Sequence, residues 1–193
     1  QQETPTKRSI WDSKWWKNSG HTFMEVRNRL MLMTFFDTGI RVSELIDLKL
    51  SQVKDEYILI HGKGDKERVV PKSPLLNKWM FKYLSTRENF FAYRRVPENV
   101  FLSRNGRPMT TEAIHRVIKI AGKAVGVSRD IRVSPHTCRH TFAQMQLKNG
   151  LDLYSLSRLM GHSNISITQR YLEGLRDFEV LNACKATGIL MNL

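Results

Sequence analysis

Cysteine is scarce, with only Cys138 and Cys184 in 193 residues. Two such thiols make no disulfide framework, so a reducing cytoplasm is expected. Proline is scarce too, at 6 residues, while apolar residues make up 41%; this excludes collagen-like, mucin-like and largely disordered chains. No apolar run approaches the roughly 18 residues that a membrane span needs. Acidic residues are the notable shortage: 18 Asp and Glu stand against 31 Lys and Arg, a net charge of +13. A domain that basic faces a polyanion, either nucleic acid or an acidic membrane surface. The start, Gln1-Gln2-Glu3-Thr4-Pro5, has neither signal-peptide character nor an initiator methionine. The sequence therefore reads as a fragment with its upstream part missing. Its length suits one compact domain with at most a small appendage.

What is present is mostly helical. Residues 1–20 are polar apart from Trp11, Trp15 and Trp16, and read as a linker remnant. From Thr22, Phe23, Val26, Leu30, Met33 and Phe36 recur at three- or four-residue steps, predicting a helix that Gly39 ends. A short helix is expected at 42–48. Strands are expected at 57–61 and 67–71, with Gly62-Lys63-Gly64-Asp65-Lys66 as the hairpin turn between them. Further helices are expected at 75–84, 110–124, 136–149, 152–160, 164–173 and 175–186, and a short strand at 100–102. The fold class is thus mainly α with a small antiparallel β-hairpin, an α+β domain over 21–175 followed by a tail at 176–193.

Charge is uneven along the chain. Between Arg104 and Arg132, seven basic residues face only Glu112 and Asp130. In the helix predicted at 110–124, Ile114, Val117, Ile118 and Ala121 share one face, and Arg116, Lys119 and Lys123 another. From Glu173 onward the chain carries two basic and three acidic residues, so the body holds +14 and the tail −1. A polyanion should meet the body. The tail, apolar at Phe178, Val180, Leu181 and Ile189-Leu190-Met191, looks built to pack on protein.

Four places combine reactive side chains with local order. Arg41 follows the Thr38-Gly39 turn and lies three residues before Glu44; alone, the pair could be a surface ion pair. Lys63 sits between glycines at the hairpin tip, which lacks the spacing of a phosphate-cradling P-loop and could be a plain solvated turn. In Ser134-Pro135-His136-Thr137-Cys138-Arg139-His140, His136 and Arg139 share a helix face. His136, Cys138, His140 and His162 lack the paired spacing of a zinc site. Finally, Gly161-His162-Ser163-Asn164 leads into a segment carrying Tyr171, with Ser163 or Asn164 as a ready N-cap. Alone, Tyr171 could be a core tyrosine, or the segment part of a helix-turn-helix.

Taken in order, these residues resemble the catalytic domain of the tyrosine recombinases, the phage integrase family. The family signature of Arg, Lys, His-x-x-Arg, His or Trp, then Tyr reads here as Arg41, Lys63, His136-x-x-Arg139, His162 and Tyr171. The flanks Thr-Gly-Ile-Arg-Val-Ser-Glu-Leu, Gly-Lys-Gly-Asp-Lys-Glu-Arg, Ser-Pro-His-x-x-Arg-His-Thr-Phe-Ala and Met-Gly-His-Ser, with Thr-Gln-x-Tyr, agree as well. The match runs from about Arg27 to Leu175. Nothing matches the family's N-terminal DNA-clamping domain.

The resemblance implies a site-specific recombinase that cuts and rejoins DNA by transesterification through a 3′-phosphotyrosine. Tyr171 would be the nucleophile, and Arg41 and Arg139 would grip the non-bridging phosphate oxygens with paired hydrogen bonds. Lys63 would protonate the departing 5′ oxygen. His162 would hydrogen-bond the phosphate, His136 would orient it or relay protons, and Glu44 would support the site from behind. Lys66, Arg68, Arg116, Lys119 and Lys123 are expected on backbone phosphates. No metal or other cofactor is expected. The expected partners are double-stranded DNA and further copies of the chain, in a tetramer on paired sites with the tail passed to a neighbour. Two other readings are a type IB topoisomerase-like nicking-closing enzyme and a non-catalytic helix-turn-helix-like DNA-binding regulator.

Overall fold

The computed structural model describes residues 22–62 and 67–171. Helix α1, Phe23–Thr38, is its axis. Glu25 bonds back to the Thr22 amide at its start, and Gly39 closes its end at φ 59° with its N–H on the Phe35 carbonyl. An ordinary residue is strained at that φ, and a Cβ on Gly39 would lie 2.2 Å from the Phe142 ring. The turn is therefore tied to glycine by backbone and by packing.

The stripe read from sequence understates how deep α1 lies. Leu30, Met31, Leu32, Met33 and Phe35 are all buried, whereas Phe36, expected inside, is 46% exposed. Helices α3 (Pro74–Phe90) and α5 (Pro135–Lys148) both pack on α1, so its apolar side chains are covered from two directions. The buried Thr34 and Thr38 hydroxyls are satisfied locally, donating to the carbonyls of Leu30 and Thr34.

A short helix α2, Val42–Asp47, leads through a 3₁₀ turn into strands β1 (Tyr57–His61) and β2 (Glu67–Pro71). They pair antiparallel with Tyr57 opposite Pro71 and His61 opposite Glu67. Ile58, Ile60 and Val70 face the core, as period-2 alternation requires. Helix α3 outruns its expected end by six residues, because Arg87 and Phe91 are buried beyond it.

The strand expected at 100–102 does not form. Its backbone is held by side chains instead: Tyr83 donates to the Val100 carbonyl, Arg27 to that of Leu102, and Arg87 to those of Pro97 and Asn99. Two isolated antiparallel bridges, Lys49 with Asn99 and Leu102 with Pro108, also pair its backbone with other segments. Helix α4, Thr111–Ala124, then α5, α6 (Leu153–Met160) and α7 (Ser166–Gln169) complete the order. A second small core gathers Phe142, Ala143, Leu156, Met160 and Tyr171. Among the described residues, no helix is long and apolar enough to cross a membrane.

Candidate active site

The site is assembled at the C-terminal end of α6. The last carbonyls of a helix have no partners within it and carry the negative end of its dipole. Here three consecutive ones each accept an arginine from elsewhere in the chain. Leu159 O takes Arg68 Nε at 2.8 Å, Met160 O takes Arg139 Nη2 at 2.7 Å, and Gly161 O takes Arg41 Nη2 at 3.0 Å. Gly161 ends the helix at φ 66°, and a Cβ there would meet the Arg68 side chain at 3.0 Å. Glycine suits the turn, because another residue is strained at that φ and its Cβ would push the Arg68 side chain aside.

Glu44 binds two of these arginines together. It is buried at 8% exposure, and each of its oxygens accepts one arm of Arg68 at 2.8 Å. It also accepts the Arg41 amide at 2.7 Å and Arg41 Nη1 at 2.8 Å. Burial alone would raise its pKa, but the bonds from Arg68 and Arg41 outweigh it and hold the carboxyl down to about 2. Glu44 is ionised at any working pH.

Arg139 is the most enclosed member of the site. It comes from the first turns of α5, which Ser134 caps by accepting the Thr137 amide, with Pro135 in the opening turn. At 6% exposure it donates to the Gly39 carbonyl at 2.5 Å as well as to Met160. Burial, and then the neighbouring Arg41, lower its pKa to about 10, which leaves it cationic at neutral pH.

Its Nη2 also lies 3.0 Å from His162 Nε2, and His162 Nδ1 lies 2.8 Å from the Thr168 hydroxyl. Burial first, then Arg139 and Arg41, push the His162 pKa down to about 4, so its ring is neutral at pH 7. Tyr171, 7% exposed, stacks its ring parallel to His162 at 6.3 Å between centroids and meets His140 edge-on at 5.0 Å. The consecutive carbonyls of residues 159–161 thus join two groups of side chains, Glu44 with Arg41 and Arg68 on one side and Arg139 with His162 and Tyr171 on the other.

A family model described as the phage integrase family matches residues 17–176. The chain belongs to that family. It is 39% identical over 147 residues to tyrosine recombinase XerD of Staphylococcus aureus (strain N315), covering 75% of this chain and 49% of that protein. XerD of Lacticaseibacillus casei is 39% identical over 148 residues, covering 76% and 50%. The chain thus spans about half the length of the curated relatives it matches. Among solved structures, XerA recombinase superposes with a TM-score of 0.74 at 30% identity, over 86% of this chain and 59% of that one. XerH recombinase bound to a palindromic difH substrate gives 0.75 at 23% identity, over 95% and 51%, and shares the fold. A mostly helical recombinase catalytic-domain fold with a two-stranded sheet is the one expected from the sequence.

Of the integrase signature positions, the structure brings together Arg41, Arg139, His162 and Tyr171, with Glu44 among them. Lys63 and Lys66 lie outside the described residues, as do the linker at 1–20, the tail at 176–193 and the helix expected at 175–186. His136 sits exposed on the first turn of α5, and among the described residues no hydrogen bond joins it to the network. Arg116, Lys119 and Lys123 are exposed along α4, while Ile114, Val117 and Ile118 are buried.

Two expectations need correction. Arg68 does not present its guanidinium outward for a phosphate; its side chain is only 10% exposed and is spent on Glu44 and Leu159. The helix leading to Tyr171 starts later than 164 and within the described chain ends at Gln169, with Tyr171 in the following turn. The Asn164 side chain accepts the Ser166 amide and so caps the first turn as expected, although Ile165 stands between it and the helix.

Sequence reasoning missed His140 as a neighbour of Tyr171 and Thr168 as a partner of His162. Both stood within the motifs, but His140 meets Tyr171 only across the packing of distant segments, and Thr168 meets His162 across the short turn between 162 and 168. Among the described residues, no group of three or more His, Cys, Asp or Glu could hold a metal ion.

Proposed function

We propose that this chain is the catalytic part of a site-specific DNA recombinase that cuts and rejoins strands through a 3′-phosphotyrosine. The observation that carries this reading is the gathering of Arg41 and Arg139 on adjacent carbonyls, 161 and 160, beside a histidine on which Tyr171 stacks. Two neighbouring guanidiniums offer paired donors to the non-bridging oxygens of one phosphodiester. Held in advance by carbonyls and by Glu44, they stabilise the charge of a five-coordinate phosphorus with little reorganisation. The carbonyl bonds of the resting site are those a bound phosphate would compete with.

In this mechanism the Tyr171 oxygen attacks phosphorus as its proton passes to solvent, the P–O5′ bond breaks, and the 5′ oxygen takes a proton from Lys63. The product is a phosphotyrosine and a free 5′-hydroxyl. Attack by another 5′-hydroxyl reverses the step and reseals the strand without ATP. His162 contributes a hydrogen bond to the phosphate, and exposed His136 orients it from the opening of α5. The exposed row of α4 holds the DNA backbone, and Arg68 acts through Glu44. Double-stranded DNA is the partner. Copies of the chain pair two sites in a tetramer, with residues after Arg176 passed to a neighbour. Removing those residues should lower cooperativity on paired sites, and unchanged assembly on DNA would refute the exchange.

The test is covalent trapping on nicked suicide duplexes drawn from the DNA flanking the gene. Labelled DNA should comigrate with wild-type protein on a denaturing gel, and not with Tyr171→Phe. DNA binding without any adduct would instead favour a binding module.

A further inference from the structure

Thr168 is completely buried, and its hydroxyl lies 2.8 Å from His162 Nδ1. On the other side of the ring, Nε2 lies 3.0 Å from Arg139 Nη2. A guanidinium can only donate, so Nε2 must accept. The single proton of a neutral imidazole then sits on Nδ1 and is given to the Thr168 oxygen. Burial first, and then the charges of Arg139, Arg41 and Arg68 against that of Glu44, keep the ring neutral. Thr168 is also tied to the nucleophile, because its carbonyl accepts the Tyr171 amide at 3.0 Å.

We propose that Thr168 is a positioning residue for the recombination reaction, fixing the orientation of the His162 ring and, together with Arg139, placing the proton of the resting ring on Nδ1. The inference rests on the recombinase reading for its catalytic consequence, but not for its structural one. A hydroxyl both accepts and donates. Thr168 therefore keeps its hold on Nδ1 whether that nitrogen is protonated, as in the resting site, or bare once Nε2 carries the proton. Nε2 stays aimed at the place where Arg139 would meet a phosphate. A histidine held by one nitrogen and working through the other is a general way of selecting a tautomer. Here the holding group sits on the segment that delivers Tyr171, so ring and nucleophile are positioned together.

The experiment compares wild type, Thr168→Val and Thr168→Ser in the full chain. Long-range proton–nitrogen NMR of His162 in the DNA-free protein should report Nδ1–H in wild type and in Thr168→Ser. Thr168→Val, which keeps the shape and removes the hydroxyl, should give mixed or Nε2–H signals. Single-turnover cleavage of a suicide duplex should slow roughly 10- to 100-fold in Thr168→Val, the range for removing an orienting partner of a working histidine. DNA affinity should stay unchanged, and Thr168→Ser should recover most of the rate. An Nε2–H tautomer in wild type would overturn the inference, as would wild-type cleavage by Thr168→Val or a serine variant as slow as the valine. If wild type forms no adduct but Thr168→Val still shifts the tautomer, the recombinase reading fails while the anchor stands.

Discussion

Arg41, Arg68 and Arg139 carry the same formal charge as Arg116, Lys119 and Lys123, in opposite settings. The first three are gathered on the end of α6, spent on carbonyls and on Glu44, and Arg68 and Arg139 are largely out of solvent. The second three stand exposed along one face of α4. A buried, fully bonded guanidinium has a fixed position, so it can recognise a geometry. An exposed one is a mobile charge in salt water, and it attracts any polyanion at a strength set by ionic strength. Net charge of +13 is silent on this division.

The largest expected effect comes from the held set. Arg139→Ala removes donors to Gly39, Met160 and His162 and one of the two phosphate clamps. Covalent trapping should fall by about 10³-fold, at the upper end for losing a pre-organised donor. Retention of more than a tenth of wild-type adduct would erase the distinction between the two sets.

Glu44→Gln tests the same set through stability. It leaves Arg41 and Arg68 without their shared carboxylate, at a cost of about 3 kcal/mol in urea unfolding at pH 7. The sign of the pH dependence follows from the shift. Glu44 is near 2 when folded and near 4.5 otherwise, so its contribution is complete above about pH 4.5 and is lost as pH falls toward 2. Wild type should lose stability across that window faster than Glu44→Gln does. His162, lowered to about 4 from 6.5, has the same sign but acts in the higher window from 6.5 to 4.

Gly161→Ala probes the turn on which the arginines converge. The positive φ costs an alanine about 1–2 kcal/mol, and its methyl would press on Arg68. Urea unfolding should show that loss, with slower cleavage. A variant as stable as wild type would mean that the turn tolerates a side chain and that Arg68 can move aside.

How much of this was legible in the sequence follows the same line. The hairpin strands were readable because alternation and a glycine-rich turn are local signals, and β1 and β2 fall where expected. Helix α1 was readable in extent but not in burial, because Phe36 and Met33 differ only in what α3 and α5 happen to cover. The reactive positions stood out as motifs. What brings them together did not, since carbonyls 159 to 161 have no side-chain signature. Arg68 was misread for that reason: beside Lys66 on a basic hairpin it looks like a phosphate contact, and only the return of α6 to β2 turns it inward.

The smallest effect should come from the exposed set. Lys119→Ala breaks no hydrogen bond among the described residues and leaves the buried face of α4, Ile114, Val117 and Ile118, untouched. Its unfolding free energy should stay within about 0.5 kcal/mol of wild type. Its effect belongs to DNA binding: a lysine on a phosphate releases about one counterion, so its loss should flatten the slope of log affinity against log salt by about 0.9. Affinity should fall a few-fold, equally on specific and unrelated duplexes, because a backbone contact carries no sequence information. Arg116→Ala and Lys123→Ala should do the same, and the triple variant should add their slopes. A loss confined to one DNA sequence would mean that α4 reads bases, and the line drawn between fixed and mobile charges would then have to move.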